Sequence, residues 1–298
     1  MDEYPRIISM PALQGIAVTF ALLALLLTLT RLVLTWRTSH RFHLDSLFSA
    51  TAAFLVIPYT IGTLIDDQVQ YEMQAYSVGW ESSLPSLNRI ERAFKTEVAC
   101  TVFFWLIIYS SKATFLTIYW RMICERRAAR NIWFIISSLT ALFFGIIFLS
   151  VFWVCGSPGR VEACQSMGEA AATRLLTTWC VLNLVDFALL ILFPLAIMPT
   201  SHTQHGKRQM AVMSAMLLLA AFFTSLDILR TYWNLTISLS DTTNLILLWR
   251  VLQPIIAAML AALSGLANWC RISYPASDVP EDDRSWIEIG DLGKVSEA

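Results

Sequence analysis

The residues of this chain best suited to chemistry are ionisable groups set within long apolar stretches, where charge is costly and needs a partner, a cavity or a route to water. Lys112 lies in one such stretch, Asp45 opens another, and Asp186 stands near the middle of a third. Asn183 precedes Asp186 by three residues and shares its helical face. Lys112 and Asp45 are placed to meet at similar depth, so an inner polar cluster of these four is expected. Asp45 and Asp186 are also the candidate catalytic residues. Sharing a dry cavity, they could protonate a bound olefin or epoxide. A second set stands at the other end of the stretches: Asp227 and Arg230 close one, Arg250 enters the next, and Gln253 follows one turn further in. These are expected to line an outward-facing pocket. For either cluster the plainer reading is an ion pair or hydrogen-bonded latch that specifies helix packing and touches no ligand. Arg31 and Arg121, near stretch ends, are expected to snorkel.

Other chemistries find no footing. The four histidines form two pairs, His40 with His43 and His202 with His205, in short basic connectors without cysteine or acidic clusters, so no metal site is expected. There is no phosphate-binding glycine loop, dinucleotide fingerprint, HExxH or Gly-x-Ser-x-Gly. The last apolar stretch has no lysine, so a retinal Schiff base has no amine to form on, and no cofactor is expected. No nucleic-acid partner is expected either.

The elements that must position these groups are seven apolar stretches: Pro11 to Trp36, Ser46 to Ile65, Val98 to Trp120, Ile132 to Val154, Leu175 to Met198, Met210 to Leu229 and Leu245 to Trp269. Each is about the 20 residues needed to cross a bilayer as a helix. Their apolar residues run continuously instead of alternating, which excludes barrel strands. A composition of 56% hydrophobic and 14% charged residues lies outside the usual range of a water-soluble domain. The expected fold class is all-α, a polytopic seven-transmembrane-helix bundle with the lipid bilayer as its first partner. Residues 1–10 are a short external N-terminus and 11–269 the bundle. A long outer connector is expected at 66–97, carrying an amphipathic segment built on Leu84, Leu87, Ile90 and Phe94. Residues 270–298 are an acidic, disordered tail.

Connectors after the first, third and fifth stretches carry Arg37 and Arg41, then Arg121, Arg126, Arg127 and Arg130, then Lys207 and Arg208. By the positive-inside rule they face the cytosol, which puts the N-terminus outside and the C-terminus inside. These basic loops are the expected docking surface for a cytosolic signalling partner. Cys155 and Cys164 bracket a Gly-Ser-Pro-Gly turn on the outer side, where an oxidising compartment lets them pair as a disulfide. Asn234 heads a glycosylation sequon on the same side, too close to a stretch end for easy modification.

Several runs resemble the fungal rhodopsin-domain integral membrane family, which includes the Pth-type receptor-like proteins. Lys112 to Arg121 is similar to that family's Lys-x-Ser-Leu-Leu-x-x-Tyr-x-Arg run. The likeness continues through Cys155 and Cys164, Asn183-Leu184-Val185-Asp186, Pro194, Ser225, Arg230 and Trp249, with Asp45 at the family's acidic position. It covers most of the chain from about Arg37 to Trp269. The chain departs from the pattern at Val78 to Glu81, where members often carry Gly-x-Gly-x-His, and at Gln253, where they often have glutamate. The resemblance implies a receptor-like protein sensing a small amphipathic ligand, and it adds Trp249 to the ligand-binding candidates. The alternative is a cyclase-like membrane enzyme acting on an apolar secondary-metabolite intermediate.

Overall fold

A computed structural model describes residues 9–39, 43–77, 79, 85–123, 127–153, 169–197 and 243–272, with single positions 214, 218, 221, 222, 224, 225 and 228 between the last two ranges. The continuous ranges form six long helices: α1 (Met10–Ser39), α2 (Leu44–Ser77), α3 (Leu87–Ile123), α4 (Arg127–Trp153), α5 (Glu169–Ile197) and α6 (Thr243–Ile272). No strand occurs among the described residues. All six helices are long and apolar enough to cross a membrane. The chain is an all-helical polytopic membrane protein. The sixth expected stretch, Met210 to Leu229, falls almost entirely outside the described residues; the single positions described within it are helical.

The expected long connector at 66–97 is replaced by helix at both ends. Residues 66–77 continue α2 and residues 87–97 form the first turns of α3. Leu87, Ile90 and Phe94 therefore belong to α3 and not to a separate surface segment. Beyond the apolar part, Arg89 ties the two extensions together through Glu72 at 2.9 Å.

The helices wear their large apolar side chains outward. On α1, Leu22, Leu26 and Leu29 are each about 60% exposed, one stripe at helical spacing. Its opposite stripe is small and buried: Ala17, Ala21, Ala24 and Thr28, ending in Arg31. Leu, Ile and Phe gain nothing by leaving lipid, so association rests on close packing and hydrogen bonds, which small residues permit. The α1 stripe meets an equally small surface on α6, where Ala257, Ala258, Ala261, Ala262 and Ser264 are buried. α6 packs against α1, α2 and α3, while α4 packs on α3 and α5 on α4.

The core among α1, α2, α3 and α6 is centred on Val56, Tyr59, Phe104, Ile107, Ile108, Val251 and Ile255. A second core joins α3, α4 and α5 through Leu116, Tyr119, Ile136, Leu190 and Phe193. Indole N–H groups stitch that side: Trp133 Nε1 donates to the Leu116 carbonyl at 2.8 Å, and Trp179 Nε1 to Ser150 Oγ at 2.7 Å.

Candidate functional site

Among the described residues, three sets of charged side chains are buried in the bundle, and they lie at different depths. From Asp45 to Asp66 the rise along α2 is about 30 Å, close to the thickness of the hydrocarbon layer. Two sets therefore sit at opposite ends of the bundle. The third lies between them.

At the end near Ser39, Arg31 Nη2 pairs with Asp45 Oδ2 at 2.6 Å, and Arg31 Nη1 donates to the Ala261 carbonyl. Arg31 is 1% exposed. This corrects two expectations. Arg31 does not snorkel, because its side chain leaves α1 on the buried stripe, and Asp45 pairs with Arg31 instead of Lys112. α6 accommodates the guanidinium by having no side chain at Gly265, where a Cβ would collide with the Arg31 Nε and Cζ atoms. The side chain of Arg121 lies outside the described residues.

In the middle set, Lys112 Nζ donates to Asn183 Oδ1 at 2.7 Å and to Asp186 Oδ2 at 2.6 Å. It also stands 4.5 Å from the Tyr109 ring centre and 4.3 Å from that of Phe187, within cation–π range. The other Asp186 oxygen accepts a 2.6 Å hydrogen bond from Thr140 on α4. Both oxygens of Asp186 are thus committed as acceptors, the opposite of what a proton donor to an apolar substrate offers. Asp45 and Asp186 sit in different clusters on different helix groups, so they do not form the shared acidic site that the sequence allowed. Asn183 and Asp186 do share a face, as their spacing implied. Thr140 was not singled out, since one threonine in an apolar stretch gives no signal.

The set near Ser77 has another character. Arg250 on α6 extends Nη2 to Asp66 Oδ2 at 2.6 Å and Nη1 to Glu97 Oε1 at 3.5 Å, joining α6 to α2 and α3. Asp67, also 0% exposed, lies within electrostatic reach of Arg250, Asp66 and Glu97. Among the described residues, neither Asp67 oxygen has a hydrogen-bond partner, nor does Asp66 Oδ1. Side-chain exposures of 18% at Arg250 and 40% at Glu97 leave this set reachable from outside the bundle. The other two buried pairs are closed, at no more than 8%.

Pro254 shapes the backbone here. It has no N–H, so the carbonyl of Arg250, four residues earlier, loses its helical donor. The Tyr59 hydroxyl supplies the replacement at 2.6 Å. Gln253, next to the proline, is buried; Trp249 is half-buried. Of the expected outward-facing group, Arg250 joins this cluster and Gln253 is buried one turn further along α6, while Asp227 and Arg230 lie outside the described residues. So do Cys155, Cys164 and Asn234. Arg250 meets instead Asp66 and Glu97, with Asp67 within electrostatic reach, all three of them expected in the connector. A signal for two of them exists: the buried α2 positions 52, 56, 59, 60, 63, 66 and 67 keep helical spacing without a break.

No group of three or more metal-ligating side chains converges among the described residues. Compared with protein-family models, curated proteins and solved structures, the chain matches none.

Proposed function

We propose that this chain is a receptor-like seven-helix membrane protein of the kind its motifs resemble, with the N-terminus outside, the C-terminus in the cytosol and the stretch Met210 to Leu229 as the remaining helix. Its ligand site is the Arg250 cluster, which this topology puts at the outer mouth. The observation that carries the reading is the contrast between the clusters: two are sealed pairs, whereas the third sets several carboxylates around one guanidinium and stays partly exposed at Arg250 and Glu97. Intramembrane charges that face a mouth mark ligand or ion pathways more often than packing latches do. A ligand bound there touches α2, α3 and α6 together and biases any rearrangement among them. The basic connectors on the cytosolic side then meet the signalling partner.

The test begins with the protein purified in lipid nanodiscs and a panel of small amphipathic molecules screened by thermal shift. A hit should stabilise the wild type and bind Arg250→Gln at least tenfold more weakly, about 1.4 kcal/mol. Equal binding to both proteins removes the cluster from the site. A hit recovered chemically altered identifies an enzyme instead, because a receptor returns its ligand unchanged.

A further inference from the structure

We infer that the cluster near Ser77 contains a proton-binding site, and that Asp67 holds the proton in the resting protein. Charge count and geometry carry the inference together. Among the described residues three carboxylates, Asp66, Asp67 and Glu97, face a single guanidinium. Arg250 gives one arm to Asp66 and the other to Glu97, so neither hydrogen bond reaches Asp67. Asp67 is 0% exposed and neither oxygen receives a donor.

A carboxylate anion so enclosed has lost its hydration with no hydrogen bond in return, the costliest condition for a charge in a protein. Two further anions nearby add to that cost. A proton removes the charge and needs no extra room. It also turns an acceptor-only group into one with an O–H to give. Donation to a carbonyl one turn back is a device this helix already uses, at Thr60 to Val56 and Thr63 to Tyr59.

The titratable groups within electrostatic reach of Asp67 come from each helix packed around it: Asp66 from α2, Glu97 and Cys100 from α3, Arg250 from α6, with Tyr59 of α2 beside Arg250. α1 brings none to this end among its described residues; its arginines, Arg31 and Arg37, lie towards Ser39. Asp227 and Arg230 lie outside the described residues. Releasing the proton adds a negative charge beside Arg250, Asp66 and Glu97. Proton occupancy thereby sets how strongly the three helices are drawn together at this end, whatever else the cluster binds.

The experiment is infrared difference spectroscopy of the full chain in nanodiscs at neutral pH, comparing wild type with Asp67→Asn and Glu97→Gln. Expected are a protonated-carboxyl C=O band in wild type, its loss in Asp67→Asn and its retention in Glu97→Gln. Because asparagine mimics a neutral acid in size and charge, Asp67→Asn should also fold and unfold like wild type, whereas Asp66→Asn, which strips Arg250 of its 2.6 Å partner, should not. Four results overturn the inference: no protonated-carboxyl band in wild type, a band that survives Asp67→Asn, a band lost in Glu97→Gln, or an Asp67→Asn chain that fails to fold. The last would mean that Asp67 acts as a countercharge and not as a neutral acid. None of these readouts involves a ligand, so the receptor reading stands or falls separately.

Discussion

Lys112 illustrates the terms on which a charge occupies hydrocarbon: two oxygens accept from it, two rings face it, and the carboxylate that balances it is itself saturated by Thr140. Removing one partner leaves the other charge buried alone, so Lys112→Met or Asp186→Leu should each cost about 3–5 kcal/mol. The double variant should recover most of that loss. Unfolding titrations in detergent micelles measure both, and additive losses would show that the pair contributes no coupling. At this scale the sequence told much about identity and little about pairing. The Asn183–Asp186 spacing fixes a shared face within one helix, and burial of a lysine guarantees a partner. Which acid answers Lys112 depends on the rotation of separate helices, which depth along a stretch does not reveal. Arg31 was misread for the same reason: its nearness to a helix end suggested escape to water, but its face points at Ala261 and Gly265.

At the scale of the element, hydropathy located the helices and misjudged two of their ends. Asp66, Asp67 and Glu97 lower the local hydropathy, so an apolar window closes before them although the helices continue. Helix geometry depends on backbone hydrogen bonds and spacing, not on lipid contact, and α2 and α3 support each other past the last apolar turn. Proline is the other punctuation. Pro254 lies inside α6, and the carbonyl it strands is met by Tyr59 from α2. Tyr59→Phe should therefore leave a buried carbonyl unsatisfied and destabilise the protein by about 1–3 kcal/mol. Pro254→Ala restores the N–H and should make Tyr59→Phe nearly neutral in that background. A Tyr59→Phe penalty of equal size with and without Pro254 would show that the hydroxyl does not serve that carbonyl.

For the whole molecule, length and apolar continuity alone made six membrane-spanning helices legible; the stretch Met210 to Leu229 lies almost entirely outside the described residues. Sidedness rests on the alternation of arginine between connectors. Reporters inserted beside Arg127 and beside Gly79 should give opposite faces, with Arg127 cytosolic, when accessibility to an impermeant thiol reagent is measured on engineered cysteines in sealed vesicles. The same face for both would break the proposed topology, and opposite faces with Arg127 outside would reverse it. The packing order, with α6 lodged among α1, α2 and α3, was not legible, because no pattern along the sequence states which helices that are far apart in the chain become neighbours.

The Arg31–Asp45 pair joins consecutive helices and spans only fourteen residues. A chain emerging from the ribosome can therefore neutralise Arg31 as soon as α1 and the start of α2 are made, long before α6. The remaining guanidinium arm waits for the carbonyl of Ala261, and Gly265 leaves the gap into which it fits. α6 thus arrives as a keystone whose docking position on α1 is already marked, and a side chain at residue 265 would obstruct its docking and not the earlier pairing of α1 with α2.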